Sequence, residues 1–417
     1  MDVEVRQSFP DEKHAADFDI EKIVTKHSAH HDVNIANEVL PHRKVHTVCR
    51  NCVWSEDGKL FAWACNEYTI QIMSADAITS NNQQMEDTLS VECNYPVTSL
   101  LFVSSNETVQ DCGDNQGYQL LRWRENKTVM VVGMKSGRVR VINVRDGSIL
   151  LELIDHKDHV SSLSVSPSLI LVSASYDGTI KFWDLADDGN MFHSFLVANY
   201  TACRGVRHKV LSVAWSPDGA RVATTGTFKA VVIFDMRNKE PSLTLSGHVN
   251  RVNRCQFSPD GTLLVSSSVD TTCIVWNSYT GVIICRLGHQ FPEPCPWFPG
   301  ESDTDVLDCA FSKTGLQVVT AADDGYLRFW DLHSPNSPVS ICAVDNPLCC
   351  SFNQNGGFLA VGSTTGDLVI VQPTRTLPSL LQLCRLACNT SQHIQYDSVD
   401  KLVIPTTLKN YLRYDSF

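Results

Sequence analysis

The sequence predicts an all-β ring, a seven-bladed propeller, followed by a short helical tail. Three observations lead there. One strand grammar recurs seven times between residues 46 and 373, and self-similarity at a fixed period of roughly 40 residues marks blade-by-blade architectures. Within each copy apolar and polar residues alternate with period two, and Pro-Asp-Gly or Asp-Gly turns separate most of the runs. Charged residues make up only 19% of the chain, below the roughly 25% usual for soluble domains, as many half-buried strands require.

Four copies carry the grammar in full: Val160–Asp184, Val210–Asp235, Val252–Asn277 and Val306–Asp331. Each reads as three antiparallel strands. Three weaker copies complete the ring. One spans Cys49–Met73, a second starts at Val97 and resumes after an insertion to end at Asn143, and the last spans Leu348–Gln372. The third-strand aromatic or its substitute falls at Met73, Ile142, Trp183, Phe234, Trp276, Trp330 and Val371. The uninterrupted intervals, such as Phe234 to Trp276, are 41 to 42 residues, the length of one blade.

Gly247-His248, Asp270 and Trp276 give blade five the signature of the WD-repeat family, which the chain resembles on these residues. The His, the turn Asp and the Trp ring nitrogen are expected to form one hydrogen-bonded chain, because buried polar groups need partners. Blade three offers His156, Asp177 and Trp183 for the same purpose, and blade six offers His289, Asp324 and Trp330. Blade four departs, with Val206 and Phe228 at the His and Asp positions; losing both partners together leaves neither unsatisfied. Residues 1–45 form an N-terminal extension, and Val33–Leu40 is a candidate for the outermost strand of blade seven, where closing the ring hides a sheet edge.

His42, His46, Cys49 and Cys52 have zinc-like spacing, but the repeat argues against a metal. Cys52, Cys255, Cys309 and Cys350 all stand two residues before an aromatic that ends the first strand, a position filled by Val213 and Leu163 in other blades. Residues three apart on a strand face opposite ways, so Cys49 and Cys52 cannot share an ion there. Core packing is the expected role. No metal or cofactor is expected. Phosphate-binding, dinucleotide-binding, nucleophile-elbow and zinc-protease motifs are missing from the sequence, so a non-catalytic role is expected.

The net charge of −12 argues against a broad surface for nucleic acid. No apolar run approaches the roughly 18–20 residues that cross a bilayer, and Met1 to Asp19 has no apolar core of a secretion signal. With 16 cysteines and no such signal, free thiols in a reducing compartment are expected, placing the chain inside the cell, in cytoplasm or nucleus.

From residue 374 to 417 the grammar changes. Thr376 and Pro378 open a helical segment in which Leu377, Leu380, Leu381, Cys384 and Cys388 fall on one continuous face. Further on, Leu402, Ile404 and Pro405 read as extended, and Leu408, Tyr411 and Leu412 as a second helical face. This region resembles a SOCS box. Ser379, Leu380 and Cys384 match the Ser-Leu-x-x-x-Cys core by which that family docks elongin C. Leu402, Pro405, Leu408 and Tyr411 match its cullin-5-selecting motif. Val403 departs from the first proline of that motif and Cys388 from the usual aliphatic residue. A propeller followed by such a box resembles the WD-repeat and SOCS-box-containing family.

The resemblance implies the substrate-recognition adaptor of a cullin–RING ubiquitin ligase. Elongin C, with elongin B, would be held by Leu377, Ser379, Leu380, Leu381 and Cys384. Cullin-5 with its RING partner would be selected by Leu402, Ile404, Pro405, Leu408 and Tyr411. A protein target would bind the propeller face bearing the tight turns, at Tyr176, Arg207, Thr227, Asn250, Val269, Trp297, Phe298 and Asp323; partners in nucleic acid or membrane are not implied. The other reading is a non-catalytic WD-repeat scaffold whose C-terminal helices are structural.

Overall fold

The structure, a computed structural model, describes residues 26–27, 51–75, 88–104, 128–187, 189–201, 208–289, 304–364, 368–373, 399 and 405–413. These residues fold into seven four-stranded antiparallel sheets. Blade five gives the pattern from the channel outward: Val252–Phe257, Leu263–Ser268, Thr272–Asn277 and Ile283–Gly288. Each blade therefore has a fourth strand beyond the three legible in the repeat. It is the outermost one, and most of its residues are at least partly exposed, as in Glu240–Ser246 and Asn190–Leu196. Their apolar signal is correspondingly weak.

The turn between first and second strands explains the recurring Ser-Pro-Asp-Gly. In blade five the Ser258 hydroxyl donates to Asp260 Oδ1 and accepts the Leu263 amide at 2.9 Å. Gly261 takes a φ of +71°, which a side chain would resist. Ser55, Ser216 and Ser312 accept the equivalent amides in blades one, four and six.

The core is not one central mass. It consists of apolar seams between adjacent blades. Ala214, Val231 and Leu245 of blade four pack against Cys255, Leu264 and Trp276 of blade five, and comparable clusters fill the other six junctions. Cys52, Cys255, Cys309 and Cys350 are all buried in these seams, as their shared repeat position predicts. His42, His46 and Cys49 lie outside the described residues. Among those described, no three His, Cys, Asp or Glu side chains are placed to hold a metal.

The first strands of all seven blades touch in sequence around the channel, and that of blade one, Cys52–Trp54, meets that of blade seven, Pro347–Phe352. Trp54 Nε1 donates across this closing seam to Ser351 O at 3.1 Å. The outer place in blade seven is taken by Lys26–His27, paired antiparallel with Val369 and Leu368. The N-terminal extension thus supplies two residues earlier in the chain than Val33–Leu40, which lies outside the described residues.

No described helix is long and apolar enough to cross a membrane.

Candidate functional site

Among the described residues, the hydrogen-bonded chains expected of a WD repeat are complete in two blades, and each uses a serine the signature does not name. In blade five His248 Nδ1 donates to Asp270 Oδ2 at 2.9 Å. Ser266 Oγ donates to His248 Nε2 and accepts from Trp276 Nε1, both at 2.8 Å. Blade three repeats this with His156, Asp177, Ser173 and Trp183. Burial tends to raise the carboxyls of Asp177 and Asp270. Hydrogen bonds from the His, a Thr hydroxyl and a backbone amide outweigh it and hold both well below the ordinary carboxylate range.

Blade six corrects the expected set. His289 Nε2 still meets Thr320 Oγ1 at 2.8 Å, and Trp330 Nε1 donates to the same oxygen. His289 Nδ1, however, donates to Thr271 O at 3.1 Å rather than to Asp324. Asp324 is engaged by both terminal nitrogens of Arg328, whose side chain is fully buried. Arg328 has taken the place of the histidine as the carboxylate's partner. In blade four Val206 lies outside the described residues. Phe228 instead packs edge-on against buried His208, ring centroids 5.9 Å apart.

These chains fix the tight turns between second and third strands, and a backbone bond ties each turn to the loop entering the blade. The amides of Tyr176, Thr227, Val269 and Asp323 donate to the carbonyls of His159, Lys209, Arg251 and Asp305, at 2.9 to 3.2 Å. Those four residues therefore occupy equivalent places on one face, together with exposed Asn250. Arg207, Trp297 and Phe298 lie outside the described residues.

The face also carries residues the sequence reading passed over. The Tyr176 ring stacks on His159 at 5.1 Å and lies under the Lys209 ammonium at 4.8 Å. Arg138 sits 5.4 Å from the Tyr95 ring, and Val249 is 71% exposed. Exposed Lys135, Lys157, Lys209 and Lys229 line blades two to four. Opposite them stand Asp305, Asp323 and Asp345; burial and the neighbouring Asp305 raise the Asp323 carboxyl. The signal was available: Lys135 fills in blade two the place Tyr176 fills in blade three, its amide donating to Pro96 O at 2.8 Å.

In the tail the described portion is buried Val399, Pro405 and the helix Thr406–Leu412, labelled α1 here, with Arg413 closing its last turn onto Lys409 O. Leu408 is exposed and Leu412 buried; Tyr411 lies within α1. Leu377, Ser379, Leu380, Leu381, Cys384, Leu402 and Ile404 lie outside the described residues. On the propeller's underside, away from the tight turns, Asn277 Nδ2 donates to Arg413 O at 3.0 Å.

Ring, repeat and hydrogen-bonded turns together define a WD-repeat propeller, and the WD domain, G-beta repeat family matches residues 147–184, 201–230, 239–277 and 293–331. Among solved structures, a chain from "Crystal Structure of Mitotic Checkpoint Complex" shares the fold at a TM-score of 0.59 and 16% identity, over 81% of this chain and 98% of that one. "WD repeat and SOCS box-containing protein 1" of Homo sapiens is 37% identical over 78% of this chain and 75% of its own length. Its Xenopus tropicalis counterpart is 33% identical over 89% and 87%. The chain belongs to the WD-repeat and SOCS-box-containing family.

Proposed function

We propose that this chain is the substrate-recognition adaptor of a cullin–RING ubiquitin ligase: the propeller holds a target protein, and the tail docks elongin C with elongin B and selects cullin-5 with its RING partner. It performs no chemistry itself. The observation that carries this reading is membership of a SOCS-box family together with the match of Ser379, Leu380 and Cys384, then Leu402, Pro405, Leu408 and Tyr411, to the two halves of that box in order. Leu380 acts as the apolar anchor on elongin C, and the small Cys384 lets the helix approach closely. Losing a buried Leu anchor costs about 2–5 kcal/mol, more than tenfold in affinity.

The turn face supports the target-binding half of the reading. It presents Tyr176 between an imidazole and an ammonium, beside lysines on blades two to four, and carboxylates on blades six and seven. A target with acidic residues toward the former and basic residues toward the latter fits this division.

Co-purification of elongins B and C with the full chain tests the proposal, and Leu380→Ala with Cys384→Trp should abolish it. A chain lacking residues 374–417 should keep its target and lose the elongins. The contact of Asn277 with Arg413 favours a second reading, a scaffold whose C-terminal helices merely pack on the propeller. In that case the elongins would be absent from both preparations.

A further inference from the structure

Blade five departs from its neighbours at the turn leaving its third strand, and its departures meet on the underside. In blades three, four and six that strand ends in Asp184, Asp235 and Asp331. Each carboxylate accepts the amide two residues on, from Ala186, Arg237 and His333, at 2.8 to 2.9 Å. Blade five has Asn277. Its Oδ1 keeps the turn-capping role, accepting the amides of Tyr279 and Thr280 at 3.0 and 3.1 Å. Its Nδ2, a donor that aspartate lacks, is the group that reaches Arg413 O. Blade two also ends in an asparagine, Asn143, whose Oδ1 caps its own turn.

The acceptor is suited to such a donor. Arg413 follows α1, and carbonyls at a helix C-terminus have no donor within the helix. They form its negative end, so a neutral amide is favoured there and a carboxylate opposed.

The turn bearing Asn277 is also braced from blade four. Arg221, 8% exposed, donates from one terminal nitrogen to Ser278 O at 2.7 Å and from the other to Gly261 O at 3.0 Å. Its guanidinium lies 3.8 Å from the Tyr279 ring centre, and Ser278 Oγ donates to Gly261 O at 2.6 Å. At the place of Ser278 the other full repeats have Leu185, Met236 and Leu332; at the place of Arg221 they have Ile170, Leu263 and Gln317. Among the described residues, asparagine caps the turn leaving the third strand in blades two and five; the turn that is also clamped by a buried arginine is that of blade five.

We propose that this turn is a dedicated seat for the tail: Asn277, held rigid by Arg221, latches α1 to the underside of blade five, so that propeller and tail end move as one body. The latch is independent of which proteins the tail recruits.

Hydrogen–deuterium exchange on the full chain tests it. Asn277→Asp keeps the capping oxygen and exchanges the donor for a charge facing the helix end. The amides of residues 408–413 should exchange about tenfold faster or more, as expected when a local contact of this size is lost. The propeller peptides outside residues 278–280 and the thermal midpoint should stay as they are. Asp331→Asn, the reverse change in blade six, should leave tail exchange unaltered. Because Asn277→Asp also alters the propeller, Leu412→Asp provides a change confined to the tail. It should accelerate the same amides and reduce protection of residues 278–280. Tail exchange equal to that of the natural chain in both variants would overturn the latch.

Discussion

Asp270 and Asp324 occupy the same turn in blades five and six, but they answer to different partners. Asp270 accepts from the His248 ring and the Val249 amide; Asp324 neutralises a guanidinium with no exposed surface. Removing the Asp270 carboxylate leaves hydrogen-bond donors unsatisfied, about 1–3 kcal/mol. Removing one from beside a buried charge costs about 3–5 kcal/mol. We therefore expect Asp324→Ala to destabilise the propeller more than Asp270→Ala, an order that chemical denaturation of the two variants checks. His289 gives a second expectation. Burial, aided by the Arg328 charge, pushes its ring down to about 4, so it stays neutral in the fold while an unfolded histidine takes up a proton near pH 6.5. Between those values the unfolded state binds more protons, and stability falls as pH drops. The contribution is fully present above about 6.5 and is lost by about 4. Denaturation midpoints measured from pH 7 to 4.5 should fall less steeply for His289→Gln than for the natural chain.

Elements differ in how much of themselves they write into the sequence. The three inner strands of each blade are legible because both faces pack: Leu263–Ser268 and Arg221–Gly226 are buried throughout. Outer strands have one free edge and a mixed surface, so the fourth strand was missed. The placement of the edge strand at Val33–Leu40 rested on its position just before blade one; the two-residue pairing of Lys26 and His27 is too short to leave any periodic trace. In the site, repeat position was enough to put Tyr176, Thr227, Val269 and Asp323 on one face. It could not reveal Arg328 in the role of a histidine, because the cations at the same repeat position, Lys181 and Arg140, pair with Asp155 and Glu152 and not with the turn residue. The Lys26–His27 pairing carries its own expectation. Deleting residues 1–30 uncovers the backbone edge of Leu368–Val371, and exposed edges recruit other chains. The truncated protein should show increased self-association by light scattering at concentrations where the full chain stays monodisperse.

At the scale of the whole molecule, the ring has no beginning: blade one and blade seven share a seam like any other, closed by Trp54 and by Cys52 packing against Cys349 and Ala360. A body closed in this way keeps its two faces apart. The tight turns with Tyr176 and Lys209 lie on one, and Asn277 with the end of the tail on the other. Under the ligase reading, target capture and elongin docking are then energetically separate, since sites with no shared partners combine additively to within a few tenths of a kcal/mol. Tyr176→Ala with Lys209→Glu should weaken target capture and leave elongin C binding unchanged. Leu380→Ala should do the reverse, and the triple variant should show the sum of the two losses. Binding measured for each partner in the presence and absence of the other checks this. A coupling above about 1 kcal/mol would mean that the faces communicate through the ring, contrary to the independence that seven separately packed seams lead us to expect.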